Sequence, residues 1–127
     1  CADGRCAWPA GQSTIAGANS HPGVLSVAGV DVTGARVGYS STGPGRLTDR
    51  KPDLSGFTHF RGSGVYAADG GTSAACPVVA GVVAAVRSRL GATPAGGSAS
   101  PAAVRDMLCK TALERGNPGY DYAYGWG

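Results

Sequence analysis

Apolar positions fall into short blocks separated by turns rich in Gly, Ser and Pro, and the blocks differ in period and length. Val24-Leu25-Ser26-Val27-Ala28-Gly29-Val30 is a brief apolar and small-residue run, entered through the turn His21-Pro22-Gly23 and ending at Asp31. Its β-branched content and shortness predict a buried strand. Arg36-Val37-Gly38-Tyr39 predicts a second short strand, closed by a turn over Ser40-Ser41-Thr42-Gly43-Pro44. The longest apolar stretch, 78–86, is built from Val, Ala and Gly and ends at Arg87. It reads as a helix whose small residues let neighbouring backbones come close. A second helix is predicted over Pro101–Ala112, with Pro101 at its first position and Val104, Leu108 and Ala112 at helical spacing. Gly91–Ser100, rich in Gly, Ala, Ser and Pro, is a surface connection between the two helices. The aromatics of Tyr120–Gly127 read as packing and turn residues. The chain has no internal repeat and no clear linker.

The candidate chemistry lies where the long apolar helix begins, at Gly70-Gly71-Thr72-Ser73-Ala74-Ala75-Cys76-Pro77. A glycine turn there delivers Ser73 to a helix N-terminus, where unpaired backbone N–H groups and the helix dipole favour developing negative charge. Two readings compete. A Gly-Thr-Ser before an apolar helix is an ordinary cap, or it presents a nucleophile. Pro77 is expected in the first helical turn, where its missing N–H costs nothing. The turn, the serine, the early proline and the small-residue face together favour the nucleophile.

This string resembles the serine motif of the subtilisin-like serine peptidases, the subtilases: Gly-Thr-Ser-x-Ala-x-Pro with Val-Ala-Gly close behind. The segments His21–Asp31 and Arg36–Pro44 are similar to the subtilase stretch downstream of the oxyanion-hole asparagine. Lys51-Pro52-Asp53-Leu54-Ser55-Gly56 resembles the family's approach to the nucleophile. The likeness covers about residues 19 to 127, in the family's order and spacing. It implies an α/β fold, half of a three-layer arrangement with a mainly parallel sheet and the nucleophile at the N-terminus of a buried helix. With 127 residues the chain supports one modest core, about half of a subtilase catalytic domain. Residues 1–127 are therefore expected to be the C-terminal portion of a single catalytic domain, beginning at Cys1 with no signal segment and stopping inside the family's last strand motif.

The resemblance also implies a mechanism. The subtilisin triad runs Asp, His, Ser along the chain, and a C-terminal portion carries only the serine. Ser73 is accordingly the single catalytic residue expected here. His21 sits in a turn, and His59 precedes Ser73 by 14 residues; neither has the family's histidine context. Asp3, Asp31, Asp49, Asp53, Asp69, Asp106 and Asp121 lack the context of the orienting aspartate. The Ser73 N–H would give one oxyanion donor, with Thr72 in support at the flank. The asparagine that gives the other is expected upstream of Cys1, since Asn19 stands too near the strand after His21. The expected partner is thus the N-terminal portion of the same protease as a separate chain, supplying Asp, His and Asn. The expected activity is endopeptidase hydrolysis of a peptide or protein substrate through an acyl-enzyme. The alternatives are a non-catalytic pseudopeptidase or peptide-binding fragment, and a ligase or macrocyclase using the same acyl-enzyme.

Composition narrows the remaining classes. A net charge of +3, from 11 basic and 8 acidic residues, is too mild and scattered for a nucleic-acid partner. No unbroken run reaches the roughly 18 apolar residues of a membrane span, so no membrane partner is expected. Cys1 and Cys6 enclose a turn-forming spacer and suit a local disulfide in an oxidising compartment. That pair, with the family, points to a secreted or extracytoplasmic protein. The cysteine spacing is too sparse for zinc. Cys76 is expected to face inward as a small hydrophobe, and Cys109 to be free. No cofactor or metal is assigned to these residues; a structural calcium would belong to the missing portion. Gly45-Arg46 stands where some relatives place acidic residues near a metal, and Ala74 where many carry an oxidisable Met. Of the wall of the S1 pocket, only the loop around Ala10 to Ile15 is expected from this chain.

Overall fold

The computed structural model describes residues 12–91 and 99–127. A short 3-10 helix, Gly17–Ser20, precedes strand β1 (Val27–Val30); strand β2 (Leu54–Phe57) follows, then helix α1 (Thr72–Leu90) and helix α2 (Pro101–Thr111). The two strands pair in parallel, with Val27 opposite Leu54 and Gly29 opposite Gly56. Parallel strands are buried on both faces and read as continuous apolar runs, which is how residues 24–30 read. Helix α1 lies across both strands. The result is an α/β fold, a parallel two-stranded sheet packed against a helix, consistent with half of a subtilisin-like domain.

The core is small and is built around that contact. Ala28 and Val30 of β1, Leu54 of β2, and Ala74, Ala75 and Val79 of α1 are buried, as are Ile15 and Val104. The buried α1 residues occupy one side of the helix, while Ala80, Gly81, Ala84 and Ala85 are exposed. Helix α1 is thus buried on its sheet side and open on the other. Averaged over an 18-residue window its mean hydropathy is 1.3, so by length and composition alone it could cross a membrane. Counting unbroken apolar residues misses this, because Arg87 and Arg89 cap a run that is apolar on all sides. The sheet contact of Ala74, Ala75 and Val79 uses one side of this helix only, and 17% of that window is buried.

Helix α2 starts at Pro101, as its sequence predicts, and the Ser100 hydroxyl accepts the Ala103 N–H at 3.3 Å to cap it. The second predicted strand is not formed. Arg36 makes a single antiparallel bridge to Val30, and the backbone then turns, with Asp31 N–H on Ala35 O and Val37 N–H on Gly29 O. Asp31 makes the turn tight: its Oδ1 accepts from Thr33 N, Thr33 Oγ1 and Ala35 N, which leaves too few residues to extend a ladder. The Thr33 hydroxyl bond leads in holding the Asp31 carboxyl below its usual range. Of the Gly91–Ser100 connection, residues 92–98 lie outside the described residues, as do Cys1, Cys6 and Ala10.

A buried ionic knot ties the second half of the chain to β1. Lys51 is fully buried; its Nζ donates to Asp53 Oδ2 at 2.7 Å and to Val24 O at 2.5 Å. The same Oδ2 accepts the Ser26 N–H at 2.7 Å, and Oδ1 takes Arg105 from α2. Buried charges persist only when paired and hydrogen-bonded, and here the partners come from three segments: Val24 and Ser26 before β1, Lys51 and Asp53 before β2, and Arg105 in α2. The tail then docks on β2: Trp126 N–H donates to Asp53 O at 3.0 Å, and Ser55 N–H to Gly127 O at 2.8 Å. Tyr120 packs edge-on against Tyr122 and Trp126, with Arg50 over two of these rings.

Candidate active site

Gly71 places the serine. It is the residue before α1, with φ +76 and ψ 168, in a region open essentially to glycine alone. Its N–H donates to Tyr39 Oη at 2.9 Å, and its carbonyl accepts Thr58 Oγ1 at 2.8 Å and Ala74 N–H at 3.0 Å. Thr72 and Ser73 are therefore the first two helical residues rather than caps, and no side chain caps α1. The capping reading of Gly-Thr-Ser fails on this geometry. The sheet below is shaped to receive the turn. A Cβ on Gly29 would meet Thr72 Cγ2 at 3.3 Å, and one on Gly56 would stand 2.8 Å from Ala75 O.

Ser73 is exposed. Its hydroxyl and its N–H have no hydrogen-bond partner among the described residues. An unpaired N–H at a helix start, beside a free hydroxyl, is the arrangement that can meet an oxyanion. Pro77 adds to it. It lies in the second turn of α1, not the first as its sequence context suggests, so the bond its N–H would make to the Ser73 carbonyl is missing.

Ser73 opens onto a cavity of about 760 Å³. Thr72, Cys76 and Pro77 of α1 form one wall; Thr14, Ile15, Ala16 and Asn19 form another; Leu25 and Ser26, just before β1, and Val27 of β1 line a further part. Thr14 and Ile15 belong to the loop expected to help line a substrate pocket, and they share this cavity with the serine. Cys76 corrects an expectation: it is exposed, not inward-facing. Ala74, Ala75 and Val79 set the buried side of the helix, and Cys76, three residues from Ser73, shares the serine's side instead. Cys109 is half-buried, and burial first, then the nearby Asp53 carboxylate, pushes its thiol up from the ordinary value.

The two histidines are engaged elsewhere. His21 Nδ1 accepts the Gly23 N–H at 3.0 Å within its own turn. His59 Nε2 lies 3.3 Å from Tyr39 Oη, and its ring meets the tyrosine at a 5.8 Å centroid distance. Neither lines the Ser73 cavity. Among the described residues no three His, Cys, Asp or Glu side chains gather as a metal site would need. The Tyr39–Gly71 contact was not visible in the sequence: its two residues are 32 positions apart, and no local pattern links them.

A model of the subtilase family matches residues 6–127. Neither the search of curated proteins nor that of solved structures gave a match. With nearly the whole chain matched, and with a glycine turn, an uncapped helix start and a free serine hydroxyl at the family's motif, this chain belongs to the subtilase family of serine peptidases.

Proposed function

We propose that the chain supplies the nucleophile of a serine endopeptidase, with Ser73 as its catalytic residue, and that it forms the C-terminal portion of one catalytic domain. The observation that carries this reading is the state of Ser73: first-turn position, unpaired hydroxyl, unpaired N–H, and an open cavity beside it. Ser73 Oγ attacks the scissile carbonyl carbon. Its proton passes to a histidine and then to the leaving amine, and water releases the acyl group. The Ser73 N–H holds the oxyanion.

The histidine, its orienting aspartate and the oxyanion asparagine come, in this reading, from the N-terminal portion of the same protease. The engagement of His21 and His59 in their own hydrogen bonds supports that division. So does the uncovered side of α1, where Val82 is 45% exposed; an apolar helix face of this kind is a surface for another part of a core. The substrate is a peptide or protein, and an extracytoplasmic location fits the family.

The test is fluorophosphonate labelling of the native preparation, followed by intact-mass analysis of every chain present. An adduct on this chain that Ser73→Ala abolishes, in the presence of the N-terminal portion, supports the peptidase reading. An assembled pair that takes no adduct sinks it in favour of a peptide-binding pseudopeptidase. Product analysis with an added amine nucleophile then separates hydrolysis from ligation.

A further inference from the structure

Resting on the peptidase reading, we propose that Tyr39, Thr58 and His59 act together as a clamp that positions the nucleophile turn. Gly71 is gripped at both ends of its residue. Tyr39 Oη takes its N–H at 2.9 Å, and Thr58 Oγ1 donates to its carbonyl at 2.8 Å. The two grips come from different segments. Tyr39 belongs to the turn region after β1. Thr58 directly follows β2, is fully buried, and is locked to β1 through its own N–H on Val30 O at 2.8 Å.

His59 closes the arrangement. A tyrosine hydroxyl that accepts from Gly71 still has a proton to donate, and Nε2 of His59, in the tautomer that leaves it unprotonated, stands 3.3 Å away to accept it. The sequence of bonds from Gly71 N–H through Tyr39 Oη–H to His59 Nε2 runs in one direction, so each bond polarises the next. The backbone supports this reading independently. His59 holds φ +60, a left-handed conformation uncommon for a residue with a side chain. Such a conformation persists only where its surroundings impose it. At His59 it lets one dipeptide, Thr58-His59, serve both grips: Thr58 on the Gly71 carbonyl, His59 on the tyrosine that holds the Gly71 N–H.

The clamp touches neither substrate nor the reacting atoms, so all three are positioning residues. They hold Gly71 at φ +76, and Gly71 sets where Ser73 Oγ and the Ser73 N–H stand. A displacement of this turn lowers turnover while leaving substrate binding nearly untouched.

The experiment compares wild type with Tyr39→Phe in the assembled protease. The substitution keeps the ring and removes only the hydroxyl. Readouts are Gly71 amide hydrogen exchange, the rate of fluorophosphonate labelling at Ser73, kcat and KM, and the thermal midpoint. The expected result is faster Gly71 exchange, with labelling and kcat both reduced about five- to tenfold, as loss of one hydrogen bond allows. KM is expected to stay within about twofold and the midpoint to move little. A second variant, His59→Gly, keeps the left-handed backbone without the imidazole and is expected to lower kcat by about twofold to fivefold. Unchanged Gly71 exchange in Tyr39→Phe overturns the clamp. So does faster exchange with unchanged labelling, or a rise in KM at constant kcat. A wild-type assembly that never labels at Ser73 overturns the peptidase reading itself, whereas a labelling wild type with an unaffected Tyr39→Phe overturns the positioning role alone.

Discussion

Gly29 and Gly56 are direct partners across the parallel ladder, and the first two turns of α1 rest on both. The Cβ that Gly56 lacks would stand 2.8 Å from the Ala75 carbonyl and 3.0 Å from Val79 Cγ2. A helix carbonyl cannot move aside without moving the helix. The Cβ missing at Gly29 would meet only the methyl groups of Val37, Thr72 and Thr58, at 3.1 Å or more. Overpacking is therefore expected to be worse at Gly56. Gly56→Ala should destabilise the folded domain by about 1–3 kcal/mol, and Gly29→Ala by less, in urea unfolding followed by circular dichroism. Equal costs at the two sites would contradict this account of how the helix seats.

Asp53 is the hub of the buried knot. Its removal leaves Lys51 charged and enclosed, strips Arg105 of its partner and frees the Ser26 N–H. Asp53→Ala is expected to cost about 3–5 kcal/mol. The double replacement Lys51→Met with Asp53→Leu should recover part of that, because it removes the enclosed lysine charge, although Arg105 and the Ser26 N–H still lose their partner. Denaturant midpoints of the two variants decide the matter; a double variant no better than the single one argues against charge burial as the cause.

Tyr120 carries a buried hydroxyl with no hydrogen-bond partner among the described residues. Burial first, and then Tyr122 and the carboxylates of Asp53, Asp49 and Asp121, push its pKa well above the ordinary 10.0. The sign follows from linkage. The unfolded chain ionises near pH 10 while the folded one resists, so this residue's contribution is intact below pH 10 and stability falls as pH rises beyond it. Tyr120→Phe should remove that alkaline loss. It should also gain about 1 kcal/mol near neutrality by deleting an unsatisfied buried group. Stability curves at pH 8 and above pH 10 test both parts, and a variant less stable at pH 8 would show that the hydroxyl has a role the geometry does not reveal.

Cys76 faces the cavity of Ser73, and Cys109 is half-buried with its thiol held protonated. N-ethylmaleimide should therefore modify Cys76 before Cys109, as peptide mapping would show. In the assembled protease the adduct should block fluorophosphonate access to Ser73, and Cys76→Ser should restore labelling in the presence of the reagent. Full labelling of a protein already alkylated at Cys76 would refute the shared cavity.

Much of this arrangement was legible because it is local. The brief β-branched run at 24–30, the small-residue helix after the Gly70-Gly71 turn, and Pro101 at the first position of α2 each follow from neighbouring residues. What escaped is set at long range or by phase. Arg36–Tyr39 reads as a strand, but the Asp31 side chain winds the preceding residues into a turn and leaves one bridge. Cys76 has the composition of a core residue, yet the buried side of α1 is fixed by where the sheet lies, and that side belongs to Ala75 and Val79. Pro77 falls one turn deeper than expected because Gly71, not Ser73, is the residue before the helix. The grip of Tyr39 on Gly71 has no local trace at all.

Lys51 and Lys110 are the only two lysines in the chain, and folding separates them sharply: the side chain of one is fully enclosed, that of the other 71% exposed. To an amine-acylating reagent the folded molecule therefore presents one lysine, and the unfolded molecule two. The knot around Asp53 thus makes integrity countable by peptide mass: each opening long enough to admit the reagent leaves a permanent tag on Lys51, and the tally of chains tagged there records how often that part of the fold has come apart.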